Sequence, residues 1–375
     1  MAEETFNANG QKVFVEPTWI TGETCLFTLK QQMGFVEFHQ FQKRLQQTRM
    51  NFLQKLQEEG YVITTDKYDT DNVVSLIMND IAVCEENVDY KTYKKEFDRR
   101  IFEAGGENLH YPHTLSFEEY LSNPFFPAVL KNEHMNAGID KFLIETEEQV
   151  NILKTFYNEN KNNPKYKETI EGCIFQQYLI SPPGIKSYMR VLADVNGNVL
   201  GASLKYTRET PTKKNKVGDL EKIFLDEKSK YFLNCKTMFN YYSNGESISM
   251  HQPKYSGAKR SILRMHNLDE NAPLIPQEIL ASIKDIMSKC NRQLGIICGF
   301  DFMYNYEDKK WYYLENQAFP AIDEWLVKKE MKHIQMNSNE NILKYFVYEM
   351  LARYESLRNY TLLKQMEQKP DSFSL

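Results

Sequence analysis

The chain has 375 residues, which is enough for two or three domains of ordinary size and a substantial hydrophobic core. Apolar residues make up 42% of it and charged residues 26%, and the 23 Phe and 23 Tyr exclude an intrinsically disordered chain. The formal net charge of -5 argues against a nucleic-acid-binding surface, which usually carries a basic excess. No stretch approaches the roughly 20 apolar residues of a membrane span, and the N-terminus lacks the features of a signal peptide. The six cysteines include no CxxC pair, which favours reduced thiols and a cytoplasmic location.

The first hundred residues alternate between strand-like and helix-like runs. Residues 12–15 predict a strand, and the apolar spacing over 35–57 predicts a helix that ends before Gly60. Residues 61–65 and 73–77 read as strands or short helices. This N-terminal part is therefore expected to be a small α/β domain.

From Pro124 onward the pattern becomes richer in strands. Strands are predicted at 126–131, 141–145, 173–180, 188–194 and 198–206, and a helix at 147–158. The sequence VNGN between the last two strands is a hairpin signal. Residues 210–230 are highly charged and poor in apolar side chains, so an exposed loop is expected there.

The last region begins near Tyr231. Its predicted elements are a helix over 276–294, a hairpin over 296–317 and a C-terminal helix over 340–366.

The hairpin carries the strongest chemical signal. Glu315 and Gln317 lie two residues apart on one strand and therefore project to the same face. Asp301 joins them on that face if the turn has an odd number of residues. Carboxylate and amide oxygens that converge in this way suit a Mg²⁺ ion that bridges nucleotide phosphates, although a solvated face of an ordinary hairpin gives the same pattern.

Two further segments have the chemistry of a nucleotide site. Lys131 ends an apolar strand, where its long side chain can reach a phosphate, and the loop to Gly138 offers backbone N–H groups. The segment Gln176-Gln177-Tyr178-Leu179 follows another apolar strand, and its backbone can read an adenine edge. Each signal taken alone is also what an ordinary strand end looks like.

The order and spacing of these segments resemble the ATP-grasp superfamily. AVLKN matches the strand of the family's second lysine, and QQYL matches its hinge, often Q-E-Y-I. YMRV at 188–191 and ASLK at 202–205 are similar to D-I-R-V and A-x-K in relatives of ribosomal-protein S6 glutamate ligase. GFD at 299–301 and LENQAFP at 314–320 are similar to the metal hairpin, G-x-D and L-E-x-N-x-x-P. Upstream, DYK at 89–91 and YPHT at 111–114 match the first phosphate lysine and P-x-T.

The resemblance spans about residues 88–325, with no subfamily assigned. Its departures include a phosphate loop with one glycine, no acidic residue after the hinge, Gly299 where D-alanine–D-alanine ligases carry an arginine, and two Gln substitutions. Gln177 stands where the hinge usually has Glu, and Gln317 stands where the metal hairpin usually has Asn. In both cases an amide oxygen can still accept a hydrogen bond or ligate a metal.

The resemblance implies an α/β (α+β) chain with the ATP-grasp fold. Its implied parts are an N-terminal pre-ATP-grasp domain at 1–108, a central lid domain at 109–207 and a C-terminal ATP-grasp domain at 208–375. The implied cofactors are ATP and two Mg²⁺ ions, with Mn²⁺ as a substitute. The implied ATP-binding residues are Lys91, Lys131, Gly138, Gln176, Gln177, Tyr178 and Leu179. The implied metal ligands are Asp301, Glu315 and Gln317, and the implied catalytic cations are Arg190, Lys205 and Arg208.

The implied reaction joins a carboxylate to an amine through an acyl phosphate and releases ADP and phosphate. The basic stretch with Lys254, Arg260 and Arg264 is either a solvated face or the place where a small-molecule or peptide substrate binds. Two alternatives remain open: a kinase acting on a small anionic hydroxyl compound, and a non-catalytic nucleotide-binding protein. The expected partners are the two substrates, with no nucleic acid and no membrane, and a homodimer is common among relatives. His110 and His113 could form a metal pair, but a structural role is commoner for loop histidines.

Overall fold

Helices and strands alternate along the chain and form three sheets in the part of the chain that is described. The mixed fold class is as predicted. The structure is a computed structural model, and it describes residues 6–15, 17, 20, 35–66, 73–77, 102–103, 109–132, 141–207, 218–237, 246–249, 255–271, 274–317 and 339–368.

The N-terminal sheet has three parallel strands, β1 Lys12–Val15, β2 Val62–Thr64 and β3 Val73–Ile77, in the order β2-β1-β3. Helix α1, Phe35–Glu58, lies between β1 and β2 in the chain, as a parallel pair requires a long crossover. Its buried residues recur every three or four positions, namely Phe38, Phe41, Leu45, Arg49, Leu53 and Leu56. Gly60 follows the helix with φ at 89°, a left-handed conformation that glycine adopts at little cost.

The middle sheet has five antiparallel strands in the order β10-β6-β5-β7-β4. Helices α2 to α5 supply side chains to the core on one face, and α3 begins at a capping box formed by Thr146 and Gln149. The strands are β4 Thr114–Ser116, β5 Ala128–Asn132, β6 Lys141–Ile144, β7 Cys173–Gln177 and β10 Lys236–Thr237. The helices are α2 Phe117–Ser122, α3 Glu147–Asn160, α4 Pro164–Glu171 and α5 Asp219–Phe224.

The third sheet also has five antiparallel strands, in the order β11-β9-β8-β12-β13. Its strands are β8 Lys186–Asp194, β9 Val199–Thr207, β11 Glu246–Ser249, β12 Ile297–Asn305 and β13 Lys310–Gln317. The helices of this region are α6 Gly257–Met265, α7 Gln277–Leu294 and α8 Asn339–Gln368. None of the described helices combines the length and the apolar composition that a bilayer crossing requires.

Two hydrophobic cores hold these sheets. One contains the apolar face of the middle sheet, for example Leu130 and Phe175. The other joins the N-terminal sheet to the third sheet and includes Val13, Val191 and Phe300. The sheets also interleave along the chain, because β8 and β9 lie before residue 208 while β10 lies after it. The domain ranges given above remain a prediction, and the sheet assignments cross their boundary at 207.

The expected exposed loop at 210–230 is wrong for its second half. Helix α5 occupies Asp219–Phe224, and its residues Leu220 and Phe224 are fully buried in the core of the middle sheet. They lie four positions apart, so one face of a short helix buries both, and Lys222 between them is exposed. The low average hydrophobicity of residues 210–230 gave no indication of this buried pair in the sequence. Residues 208–217 lie outside the described residues.

The turn between β8 and β9 gives a test of the fold. Gly197 has φ at 74°, and a Cβ atom there would lie 2.7 Å from the Cα atom of Lys284 in α7. Gly184 has φ at 71°, and a Cβ atom added to Gly184 would have no neighbouring atom within 4 Å. We expect Gly184→Ala to lower the free energy of unfolding by about 1 kcal/mol, the cost of a left-handed residue. We expect Gly197→Ala to cost at least about 2 kcal/mol more, because a backbone atom must move. Urea denaturation of both variants measures the difference, and equal losses would contradict the packing of this turn on α7.

Candidate active site

A β-bulge in the hairpin places two carboxylates side by side. Residues 306 to 309 connect the strands, so an unbroken ladder would put Leu314 opposite Asp301. The register shifts between Asp301 and Phe302, and Asp301 therefore pairs with Glu315. The expectation that both carboxylates share one face is confirmed, although a bulge produces it and the turn is even-numbered.

Arg190 extends this pair into a row across the sheet. It lies opposite Asp301 on the neighbouring strand β8, and Ser203 of β9 lies on its other side. The Arg190 side chain donates two hydrogen bonds to Asp301, from Nε to Oδ1 and from Nη2 to Oδ2, each at 2.7 Å. Both side chains are almost completely buried, so this is a bidentate ion pair with little access to water.

The charge of Asp301 depends on these neighbours. Burial raises the pKa of the Asp301 carboxyl, the charge and hydrogen bonds of Arg190 lower it, Glu315 raises it and Lys205 lowers it. The direction that prevails is upward, because a carboxylate removed from water loses its hydration. The Asp301 carboxylate is therefore stable only while cations stay beside it.

The pair of carboxylates has the oxygen chemistry that Mg²⁺ requires. Each Asp301 oxygen uses one acceptor site for Arg190 and keeps another, and Glu315 is half-buried on the same face. Within the described ranges no cluster of three His, Cys, Asp or Glu residues is present. Two carboxylates nevertheless suffice for an ion that takes its other ligands from phosphates and water.

Further predicted residues lie on the same face of the third sheet. Lys205 is half-buried and lies opposite Tyr188, whose ring centre is 5.8 Å from the Arg190 guanidinium carbon. Gln317 pairs in register with Gly299, two residues beyond Glu315, which places it on this face. The backbone of Gln317 is described but its side chain is not.

The middle sheet carries the second group. Lys131 is half-buried, and its Nζ donates to Oε1 of Gln176 at 3.1 Å. Nε2 of Gln176 in turn donates to Oγ1 of Thr114 at 3.1 Å. Gln176 is predicted to bind ATP directly, but its amide oxygen and its NH₂ group each have a partner within the sheet. Thr114 is predicted only as part of the YPHT motif.

The hinge segment links the middle sheet to the hairpin. Gln177 N donates to the carbonyl of His113 at 2.7 Å, and Tyr178 N donates to the carbonyl of Pro127 at 3.2 Å. Ile180 N donates to Oδ1 of Asn305 at 3.0 Å. The carbonyl of Ile180 accepts from the N–H of Tyr306, which follows Asn305 in the hairpin turn. The segment thus connects the strand beside Lys131 with the turn of the carboxylate hairpin. Leu179, within it, is buried.

The two loop histidines have structural contacts. The ring of His110 lies 5.5 Å from that of Tyr312, and the ring of His113 lies 4.8 Å from that of Phe125. The carbonyl of His110 accepts from Tyr313 N at 2.8 Å. These contacts support the structural reading of the pair over the metal reading.

The basic segment forms helix α6, which the sequence analysis did not predict. Ser256 caps it, and its own residues Ile262 and Leu263 are buried. Nε of Arg260 donates to the carbonyl of Tyr255 at 3.2 Å. The exposed Arg264 forms an ion pair with Glu270 at 2.8 Å, and this contact lowers the pKa of the Glu270 carboxyl. Substrate binding by Arg260 and Arg264 stays a prediction.

A buried histidine was not anticipated from the sequence. His266 is 1% exposed, and its Nε2 lies 2.8 Å from Oγ of Ser187 on the core face of β8. Burial lowers the pKa of His266 to about 4, so the ring is neutral near pH 7. Its place at the end of α6 gives no periodic signal that sequence patterns could have used.

Four predicted site residues lie outside the described residues, as does the loop 133–138. They are Lys91, Gly138, Arg208 and Lys254.

Comparison with solved structures finds 233 similar chains, and three of them are described here. No family model matches the chain, and no curated protein matches it. A D-alanine–D-alanine ligase from Bacillus anthracis is 11% identical with a TM-score of 0.36, over 92% of this chain and 98% of that one. A RiPP-associated ATP-grasp ligase of Chryseobacterium gregarium, in complex with ADP and a leader and core peptide, is 12% identical with a TM-score of 0.36. That match covers 89% of this chain and 74% of the ligase.

The ATP-grasp ligase PsnB, complexed with a minimal precursor, is 10% identical with a TM-score of 0.33. The match covers 68% of this chain, which spans only 60% of the PsnB chain. Two of these three structures are described as ATP-grasp ligases, and the third is a D-alanine–D-alanine ligase. Likenesses this low carry no activity over to the chain, so a function has to rest on its own residues.

Proposed function

We propose that the chain is an ATP-dependent enzyme of the ATP-grasp type that joins a carboxylate to an amine. The observation that supports this most directly is the row of Arg190, Asp301 and Glu315 across three neighbouring strands. A buried ion pair is a costly arrangement for stability alone, since apolar side chains of similar size often do as well. A site that must place negative oxygens beside a cation accounts for the presence of this buried ion pair.

In this proposal the residues of the middle sheet bind the base and the phosphates of one nucleotide, and those of the third sheet hold the metal ion at its phosphates. Lys131 binds phosphate oxygens from the middle sheet, and the hinge from Gln177 to Leu179 binds the base with backbone groups. Asp301, Glu315 and Gln317 hold Mg²⁺, which neutralises phosphate charge when it is bound. Lys91, Gly138 and Arg208 add phosphate contacts.

The proposed reaction has two steps. A carboxylate oxygen of the first substrate attacks the γ-phosphorus of ATP, the bond to the β-phosphate oxygen breaks, and an acyl phosphate and ADP result. An amine then attacks the acyl carbon, phosphate leaves with the bonding electrons, and the nitrogen loses a proton. The first step brings two anionic groups together, and the second develops negative charge on the acyl oxygen and the departing phosphate. The chain therefore contributes orientation and positive charge through Arg190 and Lys205.

The remaining assignments belong to the same proposal. The substrates are small carboxylates and amines or peptides, bound near α6 through Lys254, Arg260 and Arg264. The enzyme works with Mg²⁺, two ions being expected, and accepts Mn²⁺. A cytoplasmic homodimer without nucleic-acid or membrane partners completes the proposal.

The test is ATP consumption by the full chain with Mg²⁺ and a pooled library of amino acids and small carboxylates. ADP and phosphate are quantified, and condensed products are sought by mass. We expect ADP, phosphate and a product lighter by one water than its two substrates together. ADP without free phosphate, together with a phosphorylated product, would show a kinase instead. Absence of nucleotide binding in the presence of Mg²⁺ would contradict the proposal altogether.

A further inference from the structure

A chain of hydrogen bonds in the middle sheet ends at Lys131. Oγ1 of Thr114 donates to the carbonyl of Pro112 at 2.7 Å and accepts from Nε2 of Gln176 at 3.1 Å. Oε1 of Gln176 accepts from Nζ of Lys131 at 3.1 Å. The side chains come from three neighbouring strands, β4, β7 and β5, on the face opposite the core.

Only one arrangement of protons satisfies this chain. The Pro112 carbonyl can only accept, so the single proton of the Thr114 hydroxyl is committed to it. The hydroxyl oxygen must therefore act as an acceptor toward Gln176, and the amide NH₂ group must face Thr114. This leaves the amide oxygen for Lys131. A flipped amide would place NH₂ against the ammonium group, where both groups are donors.

The side chain of Gln176 is buried, which limits its access to other binding partners. It is 7% exposed, and Ile174, which precedes it on the same face of β7, is also buried. A buried amide that lost one partner would be left with an unsatisfied group. Gln176 therefore has a fixed orientation as long as Thr114 keeps its hydroxyl.

We propose that Thr114 is a positioning residue that fixes Lys131 for phosphate binding by way of Gln176. The inference rests on the proposed function, which assigns phosphate oxygens to Lys131. The ammonium group has three donors, and the bond to Gln176 leaves two for phosphate. Held in this way, the lysine side chain loses less conformational freedom when the nucleotide binds.

The segment that contains Thr114 and Pro112, where this series of hydrogen bonds begins, also contacts the hairpin of Asp301 and Glu315. Thr114 and Pro112 belong to the segment 109–116, in which the carbonyl of His110 accepts from Tyr313 N. Tyr313 lies on β13, two residues before Glu315. The same segment thus contacts the strand that carries a predicted metal ligand and orients the predicted phosphate lysine.

The test uses two substitutions of Thr114 that differ in whether the hydroxyl is kept. Thr114→Val removes the hydroxyl, and Thr114→Ser retains it and serves as the control. The dissociation constant of ATP with Mg²⁺ is measured by calorimetry for the full-length chain, and thermal unfolding shows that each variant folds. We expect Thr114→Val to weaken ATP binding on the order of tenfold and Thr114→Ser to stay near the wild type.

A double-mutant cycle separates positioning from a general structural effect. In a Lys131→Met background Thr114→Val should change the dissociation constant little further, because the side chain that it orients is gone. An equal loss in both backgrounds, or no loss in the wild-type background, would overturn the inference while nucleotide binding stands. A wild-type chain that binds no ATP with Mg²⁺ would overturn the proposed function, and the inference with it.

Discussion

Glu315→Ala is expected to abolish ATP turnover, with a loss in kcat of about 10³-fold or more, and to leave the fold intact. The physical reason is that Glu315 pairs with Asp301 across the bulge and supplies the second carboxylate of the proposed metal site. Loss of a group that stabilises transferring phosphoryl oxygens costs several kcal/mol of transition-state stabilisation, which corresponds to this factor. Glu315 is only half-buried, so its removal leaves no large cavity.

A matched control for this variant lies in the same hairpin. Glu307 is exposed in the turn between β12 and β13, and Glu307→Ala removes a carboxylate from the hairpin without touching the paired row. Steady-state ADP release and thermal unfolding are compared for the two variants. A well-folded Glu315→Ala protein that consumes ATP at the rate of Glu307→Ala would contradict the metal-site assignment.

Arg190→Met is expected to lower the free energy of unfolding by about 3–5 kcal/mol. The substitution removes the partner of a buried carboxylate and leaves Asp301 without its two hydrogen bonds. A buried, unpaired charge costs far more than the ion pair contributes when it is intact. Urea denaturation measures this loss.

Two comparisons show whether this cost comes from the unpaired charge. The double variant Arg190→Met/Asp301→Leu should recover most of the stability, because the buried pair is replaced by apolar side chains, but it should remain inactive. Arg264→Met, which breaks the ion pair of a well-exposed arginine with Glu270, should cost far less than Arg190→Met. A double variant no more stable than Arg190→Met alone would mean that the pair is not the source of the effect.

Local patterns in the sequence were sufficient for most elements. The apolar spacing of α1, the Asn-Gly turn between β8 and β9, and the strands of the carboxylate hairpin all lie where the sequence predicts them. Each of these is set by neighbouring residues: periodic burial for a helix, a left-handed glycine for a turn, alternation for a strand. Helices α5 and α6 were not predicted, because they have few buried residues and many charged ones.

The candidate site likewise has features that the sequence indicates and features that only the tertiary structure shows. The residue types of Lys131, Asp301 and Glu315 suit a nucleotide and a metal ion. Arg190 is predicted only through the resemblance of the ordered motifs to the ATP-grasp superfamily. Only the tertiary structure decided that a bulge aligns Asp301 with Glu315, that Arg190 is bound to Asp301, and that hydrogen bonds through Gln176 link Thr114 to Lys131. These features join strands that are distant in sequence, up to 111 residues apart for Arg190 and Asp301. Strand register and hydrogen-bond partners arise when sheets pair, and no local pattern of residues encodes them.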